Sequence, residues 1–205
     1  MWVKICGVTT VADALGCVDA GADAIGVNFV PTSPRVVTEE CARQIAEAVA
    51  GRAEVIGVVA SLAPGGLLAL RQRVNLTALQ LHGDEAPDTL AALLPRAYKA
   101  LRIATAHDVT EAARYAGTRL LVDAKVKGAL GGTGETFDWS LVHDLALVRP
   151  IVLAGGLTAN NVAQAIRAVR PWGVDTASGV ERANAPRAKD LDAVRAFIDG
   201  ARAAD

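Results

Sequence analysis

Two short runs of this chain end in residues able to exchange protons. Trp2-Val3-Lys4-Ile5-Cys6 closes on a thiol, and the wholly apolar run Leu120-Leu121-Val122 closes on the carboxyl group of Asp123. The strand period of two sets Lys4 and Cys6 on one face of the first run and Val3 and Ile5 on the other. If the apolar face meets helices, Cys6 points inward, and an acid and a thiol can then face one another, as general acid–base chemistry requires. Each residue also has a plainer reading. A cysteine serves equally as a small core residue, and Asp123 can simply cap the next element.

Glycine-rich turns form a second constellation. Ala154-Gly155-Gly156-Leu157-Thr158 and Thr176-Ala177-Ser178-Gly179-Val180-Glu181 each follow a short apolar run. Glycine lets backbone N–H groups approach an anion closely, and a helix N-terminus adds a favourable dipole. A phosphate held by Gly155, Gly156, Ser178 and Gly179 is the chemistry such paired turns suit; either turn alone reads as well as relief of a tight bend. A third stretch, Gly128-Ala129-Leu130-Gly131-Gly132-Thr133-Gly134, lies ahead of Phe137-Asp138-Trp139 and reads as a mobile loop able to close over a ligand, or as a plain connection.

Three further side chains can recognise a substrate. Arg35 ends the stiff loop Phe29-Val30-Pro31-Thr32-Ser33-Pro34, and its planar fork suits a carboxylate, although a loop arginine is commonly just solvated. His82 closes a run that also carries Gln80 on the same face, whereas His107 and His143 lie in helical surroundings and read as surface residues. Asp175 faces inward by alternation, as a substrate contact or as a hydrogen-bonded structural carboxylate.

The elements that must position these groups alternate along the chain. Short β-branched runs at Trp2–Cys6, Asp23–Phe29, Glu54–Ala60, Ala78–Leu81, Tyr98–Ile103, Leu120–Asp123, Ile151–Ala154 and Gly173–Thr176 are each followed by a longer amphipathic stretch. The clearest helix is expected over Thr158–Val169, opening on Thr158 and stopping before Pro171. Eight strand–helix pairs with continuously apolar strands predict a parallel, eight-stranded (β/α)8 TIM barrel, with residues 1–205 as one catalytic domain. An open doubly wound sheet usually places its Gly-rich turn after the first strand, and here those turns come late.

Gross composition narrows the partners. The 205 residues carry a formal charge of −1 with both signs interspersed, which leaves no electrostatic footprint for nucleic acid or an anionic membrane and favours a small molecule. No leader-like or membrane-length apolar run occurs, so a cytoplasmic protein is expected. Cys6, Cys17 and Cys41 are odd in number and lack metal-type spacing, so neither a disulfide framework nor a metal site is expected. Whether the chain works as a monomer or a homodimer stays open.

The motifs, taken in order, resemble those of the phosphoribosylanthranilate isomerase family of tryptophan biosynthesis. They are Val3-Lys4-Ile5-Cys6-Gly7-Val8-Thr9, Ser33-Pro34-Arg35, Leu79-Gln80-Leu81-His82-Gly83, Gly131-Gly132-Thr133-Gly134 with Phe137-Asp138-Trp139, Leu153 to Thr158, and Gly173-Val174-Asp175 with Ser178-Gly179-Val180-Glu181. The resemblance spans nearly the whole chain. It implies an Amadori rearrangement of an aminoaldose phosphate without a cofactor. It also implies that Asp123 is the general acid that opens the ribose ring, that Cys6 is the base at C2, and that Arg35 holds the anthranilate carboxylate. A free thiol has a pKa near ~8.5, so a neighbouring cation would help the base, and Lys4 is the candidate. The chain departs from the family pattern at Ala177, where serine is usual, at Ala159-Asn160-Asn161, and in part of Glu181 to Arg187; the first removes a hydroxyl beside the expected phosphate turn and leaves backbone N–H donors to bind the anion. A related isomerase of histidine biosynthesis carries aspartate where Cys6 stands. A metal-dependent pentose-phosphate epimerase needs several His and carboxylate ligands at strand ends, and a non-catalytic phosphosugar-binding protein would keep only the glycine turns.

Overall fold

The computed structural model describes residues 1–103, 105–123 and 140–205. Strands β1 (Trp2–Cys6), β2 (Ala24–Asn28), β3 (Glu54–Val59), β4 (Ala78–Leu81), β5 (Ala97–Arg102), β6 (Leu120–Asp123), β7 (Ile151–Ala154) and β8 (Gly173–Thr176) form a closed parallel barrel in chain order. Closure comes from β8 pairing with β1, which sets Val3 opposite Val174 and Lys4 opposite Asp175. Around the barrel lie α1 (Val11–Asp19), α2 (Glu39–Ala48), α3 (Pro64–Val74), α4 (Pro87–Ala91), α5 (Ala106–Ala112), α6 (Ser140–Val148), α7 (Val162–Val169) and α8 (Leu191–Ala203). Among the described residues no helix is long and apolar enough to cross a membrane.

Alternation along each strand separates two cores. Val3, Ile5, Ile25, Val27, Leu79, Leu81, Leu120 and Val122 face outward into the layer shared with the helices, joined by Ala14, Ile45, Leu67, Ile166 and Phe197. Each of the larger side chains among them contributes about 1.5–3 kcal/mol on burial. The inner face carries Ala24, Ile56, Ala78, Tyr98, Ala100, Leu121, Val152 and Ala154. Four of these are alanines, and the buried polar side chains Lys4, Gln80 and Asp175 share the interior with them.

One end of the barrel is plugged by aromatic residues. The Arg119 guanidinium lies over the rings of Tyr98, Trp2 and Trp172 at 4.8, 5.0 and 5.4 Å. Glu54 accepts hydrogen bonds from both Trp2 Nε1 and Arg119 Nη2. This is the N-terminal face of the strands, where barrel proteins invest in stability and not in chemistry.

Three local expectations are corrected. Strands β2, β3 and β5 shift or shorten by one residue at their ends. Helix α7 begins at Val162, not Thr158, because the amide of Thr158 donates to Asn161 Oδ1 and Asn161 Nδ2 donates to the Gly156 carbonyl, winding residues 158–161 into a turn. After β8 the chain does not pass straight into a helix: a 3-10 turn at Ser178–Val180 and an antiparallel hairpin of β9 (Glu181–Arg182) and β10 (Ala185–Lys189) come first. The glycine-rich loop expected over residues 128–134, and Phe137-Asp138-Trp139, lie outside the described residues.

Candidate active site

At the C-terminal ends of the strands a cavity of about 330 Å³ is lined by Cys6, Arg35, His82, Asp123, Gly155, Gly156, Asp175, Ser178 and Gly179. These side chains and turns come from β1, β2, β4, β6, β7 and β8 or the loops that follow them, so barrel closure alone brings them together. Neither His107 nor His143 lines it; His107 is exposed, and His143 lies in α6 with Nδ1 3.2 Å from the Ala168 carbonyl.

Cys6 is the last residue of β1 and points into the barrel beside Lys4. A methyl group added at Gly26 of β2 would come within 2.8 Å of Cys6 Sγ and 3.0 Å of Lys4 Nζ, so the absence of a side chain there makes room for both. Lys4 Nζ donates to Asp175 Oδ1 at 3.0 Å, and the Lys4 side chain is fully buried. Burial opposes the Lys4 charge, yet Asp175, with Cys6 and Tyr98, raises its pKa overall, so Lys4 is a permanent cation. For the Cys6 thiol, burial is the largest influence and pushes the pKa up; Lys4 pulls it back and Asp175 adds to the push. Lys4 thus assists the thiolate without overcoming burial.

The turns after β7 and β8 are stacked. Thr176 Oγ1 donates to the Leu157 carbonyl at 2.7 Å, and a Cβ at Gly179 would collide with that same carbonyl oxygen. Only glycine permits this approach, which lays the Gly155-Gly156 and Ser178-Gly179 backbones side by side at the cavity wall. Residues 157–161 separate Gly156 from α7, so anion binding at this turn rests on local N–H groups more than on the helix end. Lys189 Nζ, fully buried, donates to the Ala177 carbonyl at 2.9 Å from behind the second turn.

Arg35 is held from the same side. Its Nε and Nη2 donate to Glu181 Oε1 and Oε2 at 2.6 Å each, a parallel fork, and Lys189 Nζ lies 3.4 Å from the same Oε1 that Arg35 Nε meets. Burial pushes the Glu181 carboxyl up, but Arg35 and Lys189 together hold it below the usual carboxylate range. The arginine stem crosses above β1, where a Cβ at Gly7 would strike Arg35 Cδ and φ is +70°. The β9–β10 hairpin is tied down by Thr9 Oγ1 donating to the Arg187 carbonyl, by Arg187 Nη2 donating to the Val36 carbonyl, and by the Lys189 amide donating to Asp13 Oδ2.

On the β4 side, Gln80 Nε2 lies 3.2 Å from His82 Nδ1, and the Tyr98 hydroxyl donates to Gln80 Oε1 at 3.1 Å. Burial lowers the His82 pKa more than Asp123 raises it, so the ring is neutral near pH 7. Behind it, Lys99 Nζ donates to the Leu81 carbonyl and to Glu85, which in turn accepts from the amides of Ser61 and Gly83, fixing the loop after His82. Three functional neighbours went unread in the sequence. Tyr98 was legible as an inward residue, Glu181 stood in a motif with no role attached, and Lys189 had no local signal at all.

A closed barrel whose strand ends enclose a thiol, a carboxyl group, an arginine fork and stacked glycine turns defines a (β/α)8-barrel enzyme built for proton transfer on a small anionic substrate. Residues 3–200 match the family model described as N-(5'phosphoribosyl)anthranilate (PRA) isomerase. The N-(5'-phosphoribosyl)anthranilate isomerase of Magnetococcus marinus is 42% identical over 202 residues, covering 98% of this chain and 95% of that protein; its counterpart from Myxococcus xanthus is 44% identical over 205 residues with the same coverage. The crystal structure of phosphoribosyl anthranilate isomerase from Thermotoga maritima superposes with a TM-score of 0.89 at 37% identity, covering 99% of each chain. A structure of the isomerase in complex with reduced 1-(o-carboxyphenylamino)-1-deoxyribulose 5-phosphate gives 0.87 at 35% identity over the same share. The chain belongs to the N-(5'-phosphoribosyl)anthranilate isomerase family. It is an isomerase of tryptophan biosynthesis.

Proposed function

We propose that residues 1–205 form one catalytic domain in which Cys6 and Asp123 carry out the Amadori rearrangement of N-(5'-phosphoribosyl)anthranilate. The observation that supports this most is that one cavity is lined at once by a thiol, a carboxyl group, an arginine and two stacked glycine turns. The phosphate sits on the backbone N–H groups of Gly155, Gly156, Ser178 and Gly179, over β7 and β8. Those strands lie between β1 and β6, and in this reading the ribose lies between Cys6 and Asp123. Arg35 takes the anthranilate carboxylate, while His82 and Asp175 contact the sugar.

Asp123 gives a proton to the ring oxygen as the C1–O bond breaks, and the anilino nitrogen lone pair forms the C1=N bond of a Schiff base. The Cys6 thiolate then removes the C2 proton, and the C–H electrons form a C1=C2 bond while the C=N pair returns to nitrogen. The enolamine tautomerises to the ketone as C1 takes up the proton held on Cys6 and the C2 hydroxyl gives up its own, returning one to Asp123, so both groups regain their starting states. Atoms and electrons balance within the substrate, and each protein group only holds or moves a proton. The protein is cytoplasmic in this reading and works as a monomer or homodimer; a relative from Thermotoga maritima is described as dimeric.

The test is the decay of fluorescence of freshly made phosphoribosylanthranilate with the wild-type, Cys6→Ser and Asp123→Asn proteins. Loss of at least about 100-fold in each variant is expected, the usual range for a general acid or base. Turnover unaffected by Asp123→Asn would remove Asp123 as the acid and overturn the proposed mechanism, and turnover absent in the wild type would leave a phosphosugar-binding protein instead.

A further inference from the structure

The chain of contacts Tyr98–Gln80–His82 crosses the barrel interior from the buried middle to the cavity, and no step of the chemistry above uses it. Tyr98 and Gln80 are 2% exposed, so neither can turn to water for a partner. Lys4 and Arg119 act on Tyr98 as cations and are donors only, so they cannot take its proton; Asp175 also faces the phenol but is engaged by Lys4, and among the described residues no hydrogen bond joins it to the hydroxyl. The hydroxyl proton therefore goes to Gln80 Oε1, 3.1 Å away. That bond decides which way the amide faces, because a reversed Gln80 would present NH2 to the phenol and orphan its proton. With Oε1 on Tyr98, the NH2 group is what meets His82 Nδ1 at 3.2 Å. Two donors cannot share that contact, so Nδ1 carries a lone pair and the ring proton sits on Nε2, the nitrogen turned away from Gln80.

We propose that Gln80, oriented by Tyr98, is a positioning residue that fixes His82 as the neutral Nε2–H tautomer, so that the β4 wall of the cavity presents a hydrogen-bond donor to the substrate. The part concerning substrate rests on the function proposed above; the tautomer does not. A donor at this point, beside Asp123, suits an oxygen of the sugar and would be useless to a bound ammonium group. Of the charged groups around the ring, Lys4 and Lys99 oppose protonation while Asp123 and Asp175 favour it, and burial sides with the lysines. Free imidazoles favour the same tautomer only modestly; the distinctive consequence is that the tautomer follows residue 80.

The chain has three histidines, so long-range ¹H–¹⁵N correlation spectra of ¹⁵N-labelled enzyme resolve each ring, with His82→Gln supplying the assignment. In the wild type, His82 Nδ1 is expected at the shift of an unprotonated nitrogen and Nε2 at that of a protonated one. Gln80→Glu, whose carboxylate only accepts, should place a proton on Nδ1, and Tyr98→Phe should give a mixture as the amide loses its lock. Turnover of phosphoribosylanthranilate by Gln80→Glu should fall by about five- to tenfold, the worth of one hydrogen bond. A wild-type spectrum with the proton on Nδ1, or an unchanged His82 spectrum in folded Gln80→Glu, overturns the proposal. The wild-type spectrum needs neither variant to fold, and a wild-type enzyme that fails to turn over the substrate leaves the tautomer result standing while removing the functional reading.

Discussion

Arg35 and Glu181 meet through two hydrogen bonds of 2.6 Å although 146 residues separate them. The pair links the loop after β2 to the hairpin after β8, and through Lys189 it reaches the Ala177 carbonyl behind the phosphate turn. The grip proposed for the substrate carboxylate and the grip proposed for the phosphate are thus braced by one buried lysine.

Glu181→Gln should therefore weaken binding more than chemistry. The amide keeps one contact with Arg35 but loses the charge and the fork, so KM should rise about tenfold while kcat stays within about twofold. Steady-state kinetics decide it; an unchanged KM would mean that Arg35 needs no brace.

The Cys6 thiol should titrate above the ordinary free-thiol value of about 8.5, because burial disfavours the thiolate. The sign follows directly: reactivity tracks the thiolate, so alkylation by iodoacetamide rises with pH and its midpoint lies above that value. Cys17→Ala and Cys41→Ser in the background isolate the signal. In Lys4→Met with Asp175→Asn, which orphans neither charge, the midpoint should move higher still, since the pull of Lys4 exceeds the push of Asp175. No movement would remove Lys4 from the electrostatics of the thiol.

Ala177→Ser restores a hydroxyl at the cavity wall between β8 and Ser178. One added hydrogen bond to the phosphate should lower KM about fivefold. Competition by inorganic phosphate, measured in both proteins, separates a phosphate effect from a general one. Equal inhibition constants would place the anion elsewhere.

Arg119→Met should separate stability from activity. It removes the cation over three rings and one of the two partners of Glu54 at the far end of the barrel, at a cost of about 2–3 kcal/mol. For a chain of this size that is a fall in Tm of about 4–12 °C. Thermal unfolding and kinetics on one preparation should show lower Tm with kcat unchanged.

Much of this site was legible in the residues, because the relevant signals are local. Alternation along β1 sets Cys6 and Lys4 inward whatever the rest of the fold does, and five of the eight strands, β1, β4 and β6 to β8, lie on their expected bounds, the other three within a residue of theirs at each end. The start of α7 was not legible: Thr158 is a good capping residue, but Asn161 takes its amide instead and delays the helix. Lys189 was invisible for a different reason. Nothing near it in the chain tells a buried lysine from a solvated one; its burial follows from where the hairpin lands.

By itself, then, the sequence determined the period of each element, the inward set of side chains and the order of motifs that marks the family. Only the tertiary structure decided the partners: Lys4 with Asp175, Arg35 with Glu181, Gln80 with Tyr98. Periodicity is a property of a few consecutive residues, whereas each of these pairs exists because a barrel closes and brings distant strands to one height, a condition that no stretch of the chain expresses alone.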